Sequence, residues 1–449
     1  MAAPPALPEK IFIYINKEAR KTVNLLECGC RICYNFFMLS GKRNSRLPLF
    51  AAAAFLIFFT LFELFLRISG FNYVPYPHNS FGKFAELFSI KHNSFNMPDL
   101  ELIWKLSPGT VISQNSIKIN RKGIRGKERP YGKPPGTSRV LIIGNSTVFG
   151  WGLPDSQIFT NILEQKLNAA GGSPRYEVIN GGVPAYSSFQ SLRFFKKELI
   201  RYDPDIIVVC SKFSDCFCSY YDDKSVMASG KNYFIKKLLY LSRTYHFLRQ
   251  AVWTLRSLNA DFSKLPKRHR STIADYTGNL QEFINISKSI NARVMFLSFD
   301  RPEKNNITTP LSPYALNLIK ISQKNIGADA SRGEAIEKVY LSNKHLGILK
   351  IAREAYKAEN RAADCSRVEQ IMMNLNPWFY DLEAYENAMR KTADYNGIGL
   401  IDISGIYKQQ PNRNALFIDE VHPGFTGHML IAEALYKALT GDGPSVAGE

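Results

Sequence analysis

A run of 20 residues near the N-terminus, from Leu47 to Leu66, constrains this chain more than any other feature. It reads LPLFAAAAFLIFFTLFELFL and contains one charge, Glu63. A helix of that length spans about 30 Å, the hydrocarbon thickness of a bilayer. A helix packed on a soluble core would keep a polar face, which this run lacks. Because 46 residues precede it and no small-residue cleavage site follows, we predict an uncleaved transmembrane anchor over residues 47–66.

The charges that flank this run predict its orientation. Residues 1–46 contain eight Lys or Arg and three Glu, whereas residues 68–82 contain no charge. Because the basic side stays in the cytoplasm, we expect a single-pass protein of the cell membrane whose C-terminal part is periplasmic or extracellular. The basic segment also contains Cys28, Cys30 and Cys33. Two alternatives remain open for them: a juxtamembrane thiol group, acylated or not, or a zinc site whose other ligands are not nearby.

The composition is that of a globular protein. Of the 449 residues, 45% are hydrophobic and 21% are charged, which excludes wholesale disorder, a collagen-like repeat and a polytopic transporter. Lys and Arg exceed Asp and Glu by 57 to 39, a net charge of +18 that favours an anionic partner. The basic residues are dispersed and most of the chain is expected outside the cytoplasm, so we expect no nucleic acid. Seven cysteines are too few to indicate a disulfide scaffold, and their pairing is not predicted.

Beyond a loop-rich neck at residues 71–138, short apolar runs alternate with helical segments. Strands are predicted at residues 139–144, 176–180, 205–210, 292–299 and 397–402, and helices at 158–169, 188–199, 276–290, 382–394 and 427–439. This alternation predicts an α/β domain over residues 139–440, with a parallel sheet between two layers of helices. Two insertions interrupt it. We expect amphipathic helices at about 224–270 and a single helical hairpin within 303–378.

Candidate catalytic residues occur where predicted strands end, since open parallel sheets bind ligands beyond the carboxyl ends of their strands. The first strand ends in Gly144-Asn145-Ser146. A phosphate-binding loop is one interpretation, but the Lys-Ser/Thr and the glycine spacing of such loops are missing. The other interpretation is that Ser146 is a nucleophile, which requires a base and an orienting carboxylate. Of seven histidines, only His422 follows an aspartate, Asp419, by three residues, in a turn predicted at the same edge of the sheet.

In these residues the chain resembles the SGNH (GDSL-type) hydrolases. Gly144-Asn145-Ser146 is similar to the Gly-Asp-Ser block of that family, and Asp419-x-x-His422 to its Asp-x-x-His block. The run from Asn120 to Gly126 is also similar to the Asn-x-x-Gly-Phe-Arg-Gly lead-in of membrane-anchored members. The resemblance covers about residues 139–215 and 380–440 together with this lead-in.

The resemblance implies a flavodoxin-like three-layer sandwich, no metal or other cofactor, and acyl-ester chemistry. Ser146 would attack the ester carbonyl, His422 would carry the proton, and Asp419 would orient His422. The oxyanion hole would consist of the Ser146 amide, the amide at position 185 and the side chain at position 214. The family has glycine and asparagine at the last two positions, where this chain has Ala185 and Ser214. The alanine is tolerable if the turn needs no positive φ, and the serine hydroxyl donates from a shorter arm.

Three functions are compatible with these residues. The first is a membrane-anchored serine esterase that removes acyl or acetyl groups from an extracytoplasmic glycan or lipid. The second is an O-acyltransferase that uses the same triad but passes the acyl group to a glycan hydroxyl. The third is a catalytically degenerate protein that binds glycan. The complete Ser-His-Asp set favours an enzyme, whereas Ala185 and Ser214 favour the degenerate protein. No protein partner is predicted.

Overall fold

A computed structural model of the chain describes residues 47–71, 96–112, 116–169, 171–219, 222–226, 233–259, 266–299, 301, 313–324, 331–343, 346–375 and 381–441. The chain divides into two compact units, Met1–Ser69 and Gly70–Glu449. The cluster of Cys28, Cys30 and Cys33 lies outside the described residues, so both alternatives for it stay open.

The first unit contains helix α1 (Leu47–Ile68), which includes the whole predicted anchor. Most of its apolar side chains are exposed, with Phe55 at 62%. Its single acidic residue, Glu63, is paired with Arg67 one turn later, at 2.7 Å between Nη2 and Oε1. Within the described part of the chain, α1 is the one helix long and apolar enough to cross a membrane.

The second unit contains eleven described strands. In chain order they are β1 (Asn96–Asp99), β2 (Ile103–Leu106), β3 (Val111–Ile112), β4 (Ile117–Lys118), β5 (Thr137–Gly144), β6 (Arg175–Gly182), β7 (Ile206–Cys210), β8 (Cys218–Ser219), β9 (Arg268–His269), β10 (Arg293–Ser298) and β11 (Gly399–Asp402). The segment expected to be a loop-rich neck thus contains two short antiparallel pairs, β1–β2 and β3–β4. Its Trp104 is buried against Tyr186 and donates from Nε1 to the Pro184 carbonyl at 3.3 Å.

Five strands form the central sheet in the order β6-β5-β7-β10-β11, with every neighbouring pair parallel. Numbered along the chain, this is the 2-1-3-4-5 order of flavodoxin-like sheets. The predicted fold class is therefore confirmed. Gly144 at the end of β5 pairs with Gly182 of β6 and Cys210 of β7, so these strands end at one level. The direction of winding reverses between β5 and β7, where such sheets bind their ligands.

The described α-helices of the second unit, short and long, cover both faces of this sheet and form its insertions. They are α2 (Ser146–Phe149), α3 (Phe159–Ala169), α4 (Ser188–Lys197), α5 (Phe213–Cys216), α6 (Asp223–Val226), α7 (Tyr233–Leu239), α8 (Arg243–Asn259), α9 (Ile273–Ser289), α10 (Pro313–Lys324), α11 (Arg332–Asn343), α12 (Leu346–Ala358), α13 (Ala362–Leu375), α14 (Leu382–Asn396), α15 (Ile403–Lys408) and α16 (Phe425–Thr440).

Alternating residues of β5 enter two separate cores, as the period of two in a strand requires. Leu141 and Ile143 pack in a core with α4, α9 and α14. Val140 and Ile142 pack in the opposite core with α3 and α16. Both faces of the sheet are therefore covered, which explains why its strands are apolar throughout.

The second insertion differs from its prediction. Instead of a single hairpin, its described residues form four helices, α10 to α13, each packed on the next. They share a core of their own that includes Ile336, Ile348, Tyr356 and Met372. The described residues of the first insertion include the helices α7 and α8, and the chain continues to β9, which pairs with β8.

Candidate active site

Ser146 occupies the first position of α2, directly beyond the carboxyl end of β5. Asn145 caps this helix, because its Oδ1 accepts the Thr147 amide at 3.1 Å. The preceding position has no room for a side chain, since a Cβ on Gly144 would lie 2.2 Å from the Cys210 carbonyl oxygen. The sharp turn holds Ser146 in place, with 8% of its surface exposed.

His422 and Asp419 share a turn that precedes α16. The Ile418 amide donates to the His422 carbonyl at 2.9 Å, which closes this turn. Asp419 Oδ1 accepts the amides of Val421 and His422, both at 2.8 Å. These backbone bonds leave the second oxygen, Oδ2, pointing at the imidazole of His422.

The three side chains form a continuous hydrogen-bonded line. His422 Nδ1 lies 2.7 Å from Asp419 Oδ2, and His422 Nε2 lies 2.8 Å from Ser146 Oγ. An ionised carboxylate can only accept, so Nδ1 carries the proton and Nε2 of the neutral ring accepts from the serine hydroxyl. This arrangement can move the hydroxyl proton to the imidazole as the oxygen attacks an electrophile.

Asp419 is held in its ionised form. Partial burial acts to raise its pKa, but hydrogen bonds from the His422 side chain and from two backbone amides outweigh burial and leave the pKa below its ordinary value. His422 itself is buried, at 5% exposed, and the ring of Trp151 lies 6.1 Å from its ring, centroid to centroid. The negative charge therefore faces one nitrogen of a shielded imidazole, the arrangement that stabilises an imidazolium during proton transfer.

The three predicted oxyanion donors come after the carboxyl ends of three neighbouring strands, β5, β6 and β7. Ser146 follows β5, Ala185 lies three residues after β6, and Ser214 lies in α5 just after β7. Among the described residues, neither the Ser146 nor the Ala185 amide donates a hydrogen bond, and the Ser214 side chain makes none. None of the three groups is therefore engaged by another described residue.

Ala185 has a φ of 62°, in the left-handed region. An alanine would be tolerated here without strain only if the turn needed no positive φ. The turn does have a positive φ, so Ala185 is strained. The cost to an L-residue is about 1–2 kcal/mol. A buried ion pair contacts the backbone of this turn.

That pair is Arg270 and Asp223, which are 1% and 0% exposed. Arg270 donates to both Asp223 oxygens, at 3.0 and 2.8 Å, and from Nη1 to the Ala185 carbonyl at 2.5 Å. Asp223 also accepts the hydroxyl of Ser187, which caps α4. Because both residues belong to the first insertion, the insertion supports the turn that carries Ala185.

Arg125 supports the loop that follows Ser146. Its guanidinium is buried and donates to the carbonyls of Phe149, Gly150 and Leu153 at 2.6–2.8 Å. Its Nε donates to Asp155 at 2.8 Å. Arg125 lies in the lead-in from Asn120 to Gly126, for which no function was predicted from the sequence. The sequence did contain a signal for this role, namely an arginine close to the first strand. Its guanidinium has five N–H donors and can bind several backbone carbonyls of one turn.

His428 was also missed. It lies on α16, and its Nδ1 accepts the Phe159 amide at 2.9 Å. Burial, together with the charges of Arg125 and His422, lowers the pKa of His428 to about 3. It is therefore a neutral acceptor that holds α16 against α3. Within the described residues, no group of three or more His, Cys, Asp or Glu side chains is arranged to hold a metal ion.

Comparisons with known proteins find similarity only at the level of structure. No protein-family profile and no curated protein sequence matches the chain. Among solved structures, a lipase/acylhydrolase from Enterococcus faecalis is 11% identical, with a TM-score of 0.36, covering 68% of this chain and 96% of that chain. A catalytic mutant of an acetylxylan esterase from Geobacillus stearothermophilus is 12% identical, with a TM-score of 0.36 and coverage of 70% and 95%. A GDSL-like lipase from Bacteroides thetaiotaomicron is 13% identical, with a TM-score of 0.31 and coverage of 68% and 89%. At these identities and TM-scores, the likeness does not determine the activity, which must be inferred from the site itself.

Proposed function

We propose that this chain is a membrane-anchored serine hydrolase of acyl esters. The observation that carries this proposal is the line from Ser146 Oγ through His422 to Asp419, with hydrogen bonds of 2.8 and 2.7 Å. Ser146 is the nucleophile, His422 the general base and acid, and Asp419 the group that orients the imidazole.

The reaction follows from the geometry. Ser146 Oγ attacks the ester carbonyl carbon while its proton passes to His422 Nε2, and the carbonyl electron pair moves onto oxygen. The amides of Ser146 and Ala185 and the hydroxyl of Ser214 stabilise that oxyanion. Collapse expels the alcohol, which takes the proton from His422 and leaves an acyl-serine. Water, deprotonated by His422, then attacks the acyl carbon, and the bond from that carbon to Ser146 Oγ breaks as His422 returns the proton to Oγ, which releases the carboxylic acid and free Ser146.

The substrate class follows from the proposed topology. With α1 as a single-pass anchor and residues 1–46 in the cytoplasm, the site faces the periplasm or the exterior. Esters on that side of a membrane are borne by glycans and lipids, so we propose an O-acylated glycan or lipid as substrate. A glycan hydroxyl that reaches the acyl-serine before water would make the protein an acyltransferase instead.

The test uses the full chain in detergent micelles with an aryl acetate and a fluorophosphonate probe. We expect hydrolysis and covalent labelling of the wild type, and loss of both in Ser146→Ala, with turnover lowered by about 10⁴-fold or more. Ser138→Ala, at the other end of the same strand, is the matched control and should keep both. A folded wild-type protein that neither reacts nor becomes labelled would refute the proposal. Acyl transfer to an added glycan in place of free acid would identify a transferase.

A further inference from the structure

The first insertion exposes an apolar surface that the proposed reaction does not use. We call it the α7–α8 surface, and it consists of the exposed side chains Phe234, Ile235, Leu238, Leu239, Leu241, Phe247, Leu248 and Val252. Phe234 is 71% exposed and Leu241 is 69% exposed. Eight exposed apolar side chains within 19 residues of the chain, in two successive helices and the turn between them, are more than the scattered single ones of an ordinary surface.

Over residues 243–252, whose side chains the structure describes, α8 has polar residues among its buried positions and apolar residues among its exposed positions. Its buried positions include Thr244 and His246, at 6% and 1% exposed, whereas Leu248 and Val252 are 50% and 48% exposed. His246 Nε2 bonds to the Tyr240 carbonyl at 2.9 Å, so polar contacts lie on the inner side. A soluble helix places its apolar stripe on the core and its polar residues in water. The outer side of α8 is therefore suited to an apolar medium.

The charge of the segment complements an anionic surface. Residues 231–260 contain six Lys or Arg and no Asp or Glu. Lys236 and Lys237 lie in α7 between the exposed pairs Phe234–Ile235 and Leu238–Leu239. Basic helices whose other residues are Phe and Leu are typical of segments that lie in the interface of a bilayer, with lysines on phosphates and apolar side chains among the acyl chains.

A contact between α8 and the residues that follow α1 also indicates that this segment lies near a bilayer. The rings of Phe71 and Phe247 are in edge contact, at 5.7 Å between centroids. Phe71 follows Ile68, the last residue of α1, by three positions. A chain that leaves a bilayer at residue 68 keeps residue 71 within about 10 Å of its surface, and Phe247 is in contact with that residue.

We infer that the α7–α8 surface lies in the outer interface of the membrane and binds phospholipid directly. This inference rests on the proposed anchoring by α1 and adds a second, peripheral attachment to it. Its partner is a lipid surface with anionic headgroups. Because Arg270 and Asp223 of the same insertion support the Ala185 turn, the attachment also ties the candidate active site to the membrane surface.

The experiment uses the full chain in vesicles of phosphatidylcholine and phosphatidylglycerol, with benzoylphenylalanine at one position at a time. The test positions are Phe234 and Leu238. Leu56 in α1, 66% exposed, is the reference for the bilayer interior, and Leu341 in α11, 63% exposed, is the matched control for an exposed apolar helix position. Illumination followed by mass spectrometry identifies whether lipid or protein becomes attached.

We expect phospholipid adducts at Phe234, Leu238 and Leu56, and at least about tenfold less at Leu341. Lys236→Glu together with Lys237→Glu should lower the yield at Phe234 at least about threefold, since each lysine attracts the anionic surface. Adducts at Leu56 without any at Phe234 and Leu238 would overturn the inference and leave the anchor intact. Absence of adducts at all four positions would overturn both. Attachment of Phe234 to another protein chain would assign the surface to a protein partner and overturn the inference as well.

Discussion

Arg270 donates a 2.5 Å hydrogen bond from Nη1 to the carbonyl oxygen of Ala185. Arg270 belongs to an insertion that the family resemblance does not cover, whereas Ala185 is one of the proposed oxyanion donors. The bond therefore links a strained turn of the site to the first insertion. It also shows how a residue with a φ of 62° is kept in place although it is not glycine.

Ala185→Gly should increase the free energy of unfolding by up to about 1.5 kcal/mol. Glycine removes about 1–2 kcal/mol of left-handed strain and costs roughly 0.5–1 kcal/mol through the flexibility of the unfolded chain. The amide stays, so kcat for an aryl ester should remain within about twofold of the wild type. Urea unfolding and steady-state rates check both values. Ala185→Val, in which a β-branched residue meets the same φ, is the control and should destabilise; a glycine variant less stable than the wild type would contradict the strain.

Asp419→Asn should lower kcat by about 10³–10⁴-fold. The asparagine oxygen can still accept the Val421 and His422 amides, but its NH₂ would face His422 Nδ1. That nitrogen would then have to accept, and the ring proton would move to Nε2, which could no longer take the proton of Ser146. Steady-state hydrolysis measures the loss. The matched control is Glu420→Gln, an exposed acid in the same turn, which should stay within about twofold. Equal rates for both variants would argue against the role of Asp419.

Ser214→Asn should raise kcat and Ser214→Ala should lower it, each by about tenfold, if position 214 donates to the oxyanion. The asparagine amide reaches further than the hydroxyl, and complete loss of such a donor costs about 10²–10³ in rate. Both variants keep a small polar or apolar side chain at a half-buried position, so stability should change little. Identical kcat values for wild type, asparagine and alanine at this position would exclude it from the oxyanion hole.

Arg125→Lys should lower the free energy of unfolding by about 3 kcal/mol and reduce kcat more than it raises KM. A lysine has one charged nitrogen and cannot reach Asp155 and the carbonyls of Phe149, Gly150 and Leu153 together, so buried acceptors lose their donors. The loop after Ser146 would then loosen. Lys127→Gln is the control, because Lys127 pairs with Glu164 at the surface and such a pair contributes at most about 1 kcal/mol. A lysine variant as stable as the control would contradict this account.

His428 should make stability fall as the pH is lowered from 7 to 5. Its pKa is about 3 in the folded protein and about 6.5 in the unfolded chain, so only the unfolded chain binds a proton in this range. The contribution of His428 to the free energy of unfolding is fully present above pH 6.5. About 2 kcal/mol of it is lost by pH 5. His428→Asn keeps an acceptor for the Phe159 amide but does not titrate. The variant should lose about 2 kcal/mol less than the wild type between these pH values; parallel losses in urea unfolding would refute the assignment.

The local elements could be predicted because their signals are local. The strand expected at residues 205–210 is Ile206–Cys210, and the helix expected at 382–394 is Leu382–Asn396. Each reflects a short apolar run or a helical spacing that can be read within its own segment. The prediction for residues 303–378 failed because the pattern of apolar residues identifies helices but does not count the breaks between them. The described residues form four helices there, and each of them contributes side chains to the core around Tyr356.

The sequence by itself determined which segments become strands and helices, the candidate anchor, and the residue types available for acyl chemistry, because these depend on periodicity, length and side-chain identity. The distance between Ser146 and His422, which are 276 positions apart, depends on the pairing order of five strands and was decided only by the tertiary structure. The same is true of the Arg125 contacts and of the positive φ at Ala185. The buried cation of Arg125 and the strained turn at Ala185 are stable only when distant segments of the chain supply their hydrogen-bond partners. A local sequence pattern does not indicate which segments those are.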